Sequence, residues 1–469
     1  MEKKNESFRD SISTITEEGL RQWIYPKKTK GRFHTRRVIV AVILLILFFL
    51  FPLIKVNGEQ FMLFDILNRK FVIFGRPFFP QDFYLLAFLL VTAAVFVVLF
   101  TVIYGRIFCG WLCPQTIFME MVYRKIEYFI EGDRPKQMKL DRMPWNKEKI
   151  TKKGTKWFVF FIITLIITST MWAYVAGTEY VINFWKNPFA KPGVLTAYLI
   201  FAVIYYFIYA WFREQVCIIV CPYGRLQGVL TDENTILVTY DYKRGEKRGP
   251  MRKGQDRAAL GLGDCIDCKQ CVHVCPTGID IRNGTQMECI NCTACIDACD
   301  AVMDSIGKPR GLIRYASKVS IEQGTKKIFT PRVKFYSLIL LILMSVFIGL
   351  IVKRPAVDLK VLRVRGQVFT ELPNGKIRNL YNVTLINKTT REYKDLQIKL
   401  IDKDGGEIVV SGIDDQKPDL KVGEVKQFMI FVDFPKDKMK GKQELTFGVY
   451  DQNGKLLDKY ESIFIAPVN

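Results

Sequence analysis

Apolar residues in this chain are gathered into long blocks rather than scattered. Five blocks are long enough to cross a bilayer: Val38–Ile54, Phe83–Tyr104, Trp157–Ala176, Val194–Phe212 and Phe335–Val352. A span needs about 20 apolar residues with a lower limit near 17, so the first is short and the others comfortable. Buried core helices are the competing reading, but five charge-free blocks would need a very large core to hide them. Met1–Arg37 is too long and polar for the n-region of a signal peptide, and no small-residue cleavage site follows Ile54, so the first span is expected to stay.

After the last block the pattern changes to alternation with period two, rich in Val, Ile, Phe, Tyr and Thr. It predicts strands at Leu359–Arg365, Arg378–Asn387, Asp395–Ile401, Glu407–Ser411, Glu424–Phe434, Gln443–Tyr450 and Leu456–Ile465. Turn residues separate them at Pro373-Asn374-Gly375, Asp404-Gly405-Gly406, Pro435-Lys436-Asp437 and Asn453-Gly454. Short strands at this spacing suit an immunoglobulin-like sandwich, held by packing alone because the tail has no cysteine. Asn382 and Asn387 each open an N-x-T sequon, and both read as strand residues rather than glycan sites.

Charge orients the blocks. The chain carries a formal +22, and its Lys and Arg crowd beside some spans and avoid others. Met1–Arg37 holds ten and Gly105–Lys156 twelve, whereas Lys55–Asp82 holds four and Gly177–Gly193 two. Positive charge marks the cytoplasmic side, which places the N-terminus, Gly105–Lys156 and Arg213–Lys334 inside and Lys353–Asn469 outside. No lysine-rich arm with interleaved aromatics stands apart from the spans, so the expected partner is the lipid bilayer and not nucleic acid. The organisation expected is a cytoplasmic segment 1–37; four transmembrane helices in two hairpins over 38–212, each hairpin followed by CxxxCP; a cytoplasmic domain 213–334; a fifth span 335–352; and an outer immunoglobulin-like domain 353–469.

The strongest chemical signal lies at 262–303: Cys265-x2-Cys268-x2-Cys271-x3-Cys275-Pro276, then Cys289-x2-Cys292-x2-Cys295-x3-Cys299. This is the bacterial two-cluster ferredoxin run, in which the fourth cysteine of each run serves the other cluster. Crossed ligation assigns Cys265, Cys268, Cys271 and Cys299 to one [4Fe-4S] cluster, and Cys289, Cys292, Cys295 and Cys275 to the other. Structural zinc sites pair short hooks across a longer gap, and disulfides are out of place in a reducing cytoplasm. Asp300 stands where a proline would follow the last cysteine, and His273 is expected on an exposed loop. The fold class expected is therefore a multidomain membrane protein: a five-helix transmembrane bundle, a two-cluster bacterial ferredoxin-like α+β domain and a C-terminal all-β immunoglobulin-like sandwich.

Two further phrases, Cys109-Gly110-Trp111-Leu112-Cys113-Pro114 and Cys217-Ile218-Ile219-Val220-Cys221-Pro222, begin just after the second and fourth spans. Both therefore fall at the inner membrane surface, on the same side as the ferredoxin run. A spacing of four puts both sulfurs on one face if the segment is helical, and the proline biases the second cysteine towards a turn. Soft thiolates favour Cu(I), zinc or iron–sulfur clusters. A dithiol can also cycle as a disulfide, and the four cysteines could instead hold a third cluster. The plain alternative is cysteine as a small hydrophobe, which two copies, each ending a hairpin, make the weaker reading.

These phrases together resemble the cytochrome c oxidase accessory proteins of the CcoG/FixG/RdxA type. The likeness is carried by GRIFCGWLCPQT (Gly105–Thr116), VCIIVCPYGRLQG (Val216–Gly228), GDCIDCKQCVHVCPTGIDIRNGTQMECINCTACIDACDAVM (Gly263–Met303) and GKPRGLIRY (Gly307–Tyr315), and it covers nearly the whole chain. The resemblance implies a bacterial inner-membrane protein, with N-terminus and clusters cytoplasmic and the C-terminal domain periplasmic. It implies reduction of Cu(II) to Cu(I) in building the cbb-type cytochrome c oxidase, with that oxidase or its copper chaperones as partners. Cys109, Cys113, Cys217 and Cys221 would then be the copper-reducing or copper-holding thiols, refilled through the ferredoxin cysteines from an unidentified donor. Two other functions fit the residues: an electron-transfer subunit between a quinone pool or cytoplasmic donor and a periplasmic reductase, and a non-enzymatic oxidase-assembly scaffold. No histidine sits within any predicted span, which disfavours a haem-bearing quinol dehydrogenase.

Overall fold

The computed structural model describes residues 13–467 except 17, 57, 67–69, 79–81, 253–256, 258, 326, 365, 367, 390, 404 and 412–416. Lys3, Lys4 and Arg9 of the basic lead-in, Arg365 at the end of the first predicted strand, and Asp404 of one predicted turn lie outside the described residues. Among the described residues five helices are long and apolar enough to cross a membrane: Arg32–Leu50, Phe83–Tyr104, Lys147–Ala176, Pro192–Phe212 and Pro331–Val352. The first stops at Leu50, short of the predicted Ile54, because Pro52 disfavours helical geometry in the residue before it. The third starts ten residues before its apolar block: nothing in Lys147–Lys156 breaks a helix, and the Asn146 side chain accepts from Lys149 N at 2.8 Å at its start.

The chain divides into two compact units. The first comprises Met1–Leu50, Phe88–Trp172 and Val181–Ser345. An aromatic cluster ties the segment between the hairpins to the second hairpin: Tyr123 stacks on Tyr209 at 4.7 Å and meets Phe160 edge-on at 4.9 Å. Three π-helical turns, Phe118–Tyr123, Ile208–Phe212 and Val216–Val220, lie around the CxxxCP phrases. Such turns are rare and gather at functional sites.

The ferredoxin domain of this unit is closed by a two-stranded antiparallel ribbon, Leu237–Tyr240 with Ile313–Ala316, which brackets all eight cysteines in sequence. Val238, Ile281, Ile296, Met303, Leu312 and Ile313 bury a small apolar core against Cys265, Cys271 and Cys299. The helix Ala294–Ser305 runs straight through Cys299, and Asp300 shows why no proline stands there. Its carboxylate accepts from Gly311 N at 2.9 Å and from Arg32 Nη2 at 3.1 Å. One turn earlier, Asp297 accepts from Phe33 N at 3.1 Å and His34 N at 2.7 Å, capping the first membrane-capable helix from another element. Gly31 is required beside it, since a Cβ there would sit 2.3 Å from the Asp297 carboxyl carbon. His273 departs from expectation: it ends the short helix Gln270–His273 and is half-buried, its carbonyl accepting from Lys27 N at 2.7 Å.

The second unit comprises Phe51–Ala87, Ala173–Tyr180 and Val346–Asn469. Its β-sandwich has one sheet containing Val357–Arg363, Lys376–Asn387, Glu407–Ser411 and Val425–Pro435, with Thr370–Glu371 on the side, and a second sheet of Gln397–Leu400, Lys442–Tyr450 and Leu456–Ile465. Leu359, Val383, Ile430 and Phe447 are among its fully buried side chains, each contributing about 1.5–3 kcal/mol of burial. Asn387 is buried, and its amide donates to the Arg391 carbonyl at 2.6 Å and the Lys421 carbonyl at 2.9 Å. The segment Lys55–Asp82, for which no strand was expected, contains short antiparallel pairings of Lys55–Val56 with Glu59–Gln60 and of Met62–Asp65, Lys70–Ile73 and Arg76–Phe78.

Candidate functional site

Local backbone geometry repeats itself across the two cysteine runs. Asp267 and Lys269 flank Cys268 with φ of 53° and 55°, and Asn291 and Thr293 flank Cys292 with φ of 54° and 65°. Left-handed non-glycine residues cost of order 1–3 kcal/mol each, so four in matching places mark a path held by something else. That path wraps amides around sulfur. The N–H groups of Thr277, Gly278 and Ile279 face Cys275, that of Asn291 faces Cys289 and that of Ala294 faces Cys292.

Tertiary structure brings the eight thiols together in two overlapping sets that share Cys271. Cys271, Cys275, Cys289, Cys292 and Cys295 line one small cavity with Thr277, Ile279 and Ile290. Cys299 stands within electrostatic reach of Cys271, Cys268 and Cys265. Burial pushes the thiols of Cys271, Cys289 and Cys299 up to about 12 and that of Cys292 to about 11. Buried thiols of this kind are inert as nucleophiles and become thiolates only against a metal.

These residues fit [4Fe-4S] clusters: eight soft donors in two overlapping sets, amides turned towards sulfur, and two buried nitrogens, Asn291 Nδ2 and Arg106 Nε, without a hydrogen-bond partner among the described residues. Among the described residues no three His, Cys, Asp or Glu side chains converge on a single metal ion.

The CxxxCP phrases fold differently from one helical face. Cys109 sits in the short helix Ile107–Trp111, while Cys113 is extended (ψ 123°) and opens the next helix at Pro114. Cys217 lies in the π turn Val216–Val220, and Cys221 is extended (ψ 110°) before the helix Pro222–Leu230. Each proline thus starts a helix where its missing N–H costs nothing. The fold, not the spacing, gathers the sulfurs: Cys217 lies within electrostatic reach of Cys113, Cys109 and Cys221. Burial raises the Cys109 thiol, whose Sγ lies 3.6 Å from Gln227 Oε1, and pushes Cys217 up to about 12.

The first phrase is seated directly on the loop between Cys289 and Cys292. A Cβ on Gly110 would stand 2.5 Å from the Ile290 carbonyl oxygen and 3.0 Å from the Asn291 carbonyl. Arg37 Nε holds the Gly110 carbonyl at 2.7 Å, and Trp111 Nε1 donates to the Tyr315 hydroxyl at 3.2 Å. Arg106 donates to the Met287 carbonyl, and its charge reaches Cys109, Cys217 and Cys289 together. The second phrase is braced by Arg213, left-handed at φ 52° and buried, whose guanidinium takes the Glu127 carboxylate in a fork at 3.2 and 2.7 Å. Sequence reasoning passed over Arg37, Arg106, Gly110, Gln227 and Asn291. Only the small Gly110 and the basic Arg106 inside GRIFCG offered a hint.

A multi-pass membrane chain carrying a 4Fe-4S ferredoxin domain, with further cysteines packed on it, is an iron–sulfur electron-transfer protein. Residues 212–318 match the family described as a 4Fe-4S dicluster domain, residues 86–136 a 4Fe-4S binding domain, and residues 347–467 the IG-like fold at the C-terminal of FixG. The chain is 38% identical over 380 residues to protein RdxA of Cereibacter sphaeroides, covering 78% of this chain and 79% of RdxA. It is 33% identical over 405 residues to the nitrogen fixation protein FixG of Rhizobium meliloti, covering 78% and 77%. Among solved structures, the FixG-related protein from Vibrio parahaemolyticus matches 24% of this chain and 98% of its own at 22% identity, with a TM-score of 0.20. The chain belongs to the FixG/RdxA family.

Proposed function

We propose that this protein reduces Cu(II) to Cu(I) at the four CxxxCP thiols, in support of assembling a cbb-type cytochrome c oxidase. Cys265, Cys268, Cys271 and Cys299 would hold one [4Fe-4S] cluster, and Cys275, Cys289, Cys292 and Cys295 the other. When bound, such clusters supply electrons one at a time, matching the single electron each Cu(II) takes. The chain's own residues do the rest. Cys109, Cys113, Cys217 and Cys221 offer soft sulfur donors that favour Cu(I). Arg106 offsets negative charge as thiolates form, and Arg37 and Gly110 hold the thiols against the Cys289–Cys292 loop. The observation that carries this reading is that seating of Gly110 on Ile290 and Asn291. The basic flanks support a cytoplasmic ferredoxin face, with the sandwich outside.

The test is a paired Cys109→Ser and Cys217→Ser variant, assayed anaerobically for Cu(I) with a chromogenic chelator. Loss of copper reduction with the iron content unchanged supports the proposal; an undiminished rate removes these thiols from the reaction. One observation favours a second reading, in which the four thiols hold a third cluster: the 4Fe-4S binding domain match spans Cys109 and Cys113. Iron analysis separates the two, since a third cluster adds half as much iron again and the paired variant would lose it.

A further inference from the structure

Beyond the electron-transfer reading, we propose that the cationic cavity bordered by Lys28, His34, Arg37 and Lys125 is a binding site for a phosphate group. The cavity, of about 460 Å³, also touches Pro276 and Ala294 in the ferredoxin domain. Its size falls among small-ligand sites, which run roughly 300–1,000 Å³. Five basic side chains line it near Tyr128, of which Lys27 donates to Gln270 Oε1 at 3.0 Å, and the one acidic residue lining it, Glu120, is already taken by Arg124 Nε at 2.8 Å.

Arg37, Lys28 and Lys125 make no ion pair among the described residues, and the charge of Arg37 also reaches Cys292. Arg37 is 7% exposed; its Nε is held by the Gly110 carbonyl, and its Nη2 has no partner. Neither the Lys28 nor the Lys125 ammonium makes an ion pair or hydrogen bond among the described residues. Burial, then repulsion from Lys28 and Arg37, lowers the Lys125 pKa. Like charges around a partly enclosed cavity repel one another, and an anion bound among them relieves that repulsion. A phosphate matches best, because it offers several acceptor oxygens at once to a guanidinium nitrogen and flexible ammonium groups.

The cavity is lined by His34 and Arg37 in the first turns of the helix Arg32–Leu50, so the phosphate could come from an anionic lipid headgroup. It could equally come from a soluble phosphate ester. The shared chemistry is the phosphate, and the test distinguishes its sources. Occupancy would add negative charge beside Pro276 and Ala294, which adjoin Cys275 and Cys295.

Full-length protein in a non-ionic detergent is titrated with inorganic phosphate, adenosine monophosphate and dioctanoyl phosphatidylglycerol at fixed ionic strength, read by thermal shift and by 31P line broadening. The comparison is a Lys28→Gln and Lys125→Gln pair; both side chains are exposed enough to be replaced without loss of folding, checked by circular dichroism and iron content. The expected result is saturable binding to the unaltered protein, weakened at least tenfold in the pair. Saturation by phosphatidylglycerol alone identifies a lipid source; saturation by phosphate or the nucleotide identifies a soluble one. Binding of none of the three, or equal binding by the pair, overturns the proposal.

Discussion

Replacing Gly110 with alanine probes the junction between the thiols and the ferredoxin domain with the smallest possible change. The new Cβ would meet the Ile290 carbonyl oxygen at 2.5 Å, where ordinary contact begins at 3.4 Å, so one backbone must give by about 0.9 Å. Neither side is a flexible side-chain end. The Gly110 helix is pinned by Arg37 and Trp111, and the Ile290 loop by its left-handed neighbours Asn291 and Thr293. Overpacking of this kind costs about 1–3 kcal/mol. Gly154→Ala is the control, because nothing lies within 4 Å of its would-be Cβ and it sits inside a helix. It should be neutral or up to about 1 kcal/mol stabilising. The assay is denaturation followed by loss of iron–sulfur absorbance, together with anaerobic copper reduction. Gly110→Ala is expected to unfold earlier and reduce copper more slowly with its iron still present. Equal stability and equal rate in both variants would refute the idea that this contact joins the two thiol groups.

Further changes test the frame around the site. Asp297→Ala removes the cap from the first membrane-capable helix and should cost about 0.5–2 kcal/mol, visible as a lower melting temperature, while Asp297→Asn recovers part of it. Glu127→Gln leaves Arg213 and Lys156 buried with less counter-charge and should destabilise by about 3–5 kcal/mol, read by the same melts. Burial alone would raise the Glu127 pKa, but Arg213 and Lys156 hold it down to about 2, against 4.5 for the free side chain. Its contribution is therefore complete above about pH 4.5 and is lost as pH falls towards 2, so melts of the unaltered protein should drop over that window more steeply than those of Glu127→Gln. Asn387→Ala strips the Arg391 and Lys421 carbonyls of their buried donor and should cost the sandwich about 1–3 kcal/mol, measured by hydrogen exchange of Lys376–Asn387.

The membrane-capable helices and the sandwich strands were legible because each repeats one simple period over many residues. Where edges differ, a local cause is visible: Pro52 ended one helix early, and the Asn146 cap began another before its apolar block. The pairings within Lys55–Asp82 escaped because strands of two to four residues carry no readable period. The cysteine spacings were plain, but the path between them was not. Local propensity tolerates left-handed Asp267 and Asn291 but argues against Lys269 and above all Thr293, which their surroundings hold there. Arg37, Arg106 and Gly110 act through partners 73, 181 and 180 positions away along the chain, a relation no local pattern encodes. The same holds for Asp300, which read as a missing proline and proved to tie the Cys299 helix to Arg32 and Gly311.

The most direct measurement is electron paramagnetic resonance of the full-length protein, reduced anaerobically, before and after Cu(II) is added. The prediction is a spin count of two reduced [4Fe-4S] centres per chain, with cluster and Cu(II) signals vanishing in equal amounts on mixing, and both persisting in the paired Cys109→Ser and Cys217→Ser variant. A single cluster per chain, or a Cu(II) signal that survives beside reduced clusters in the unaltered protein, would contradict it.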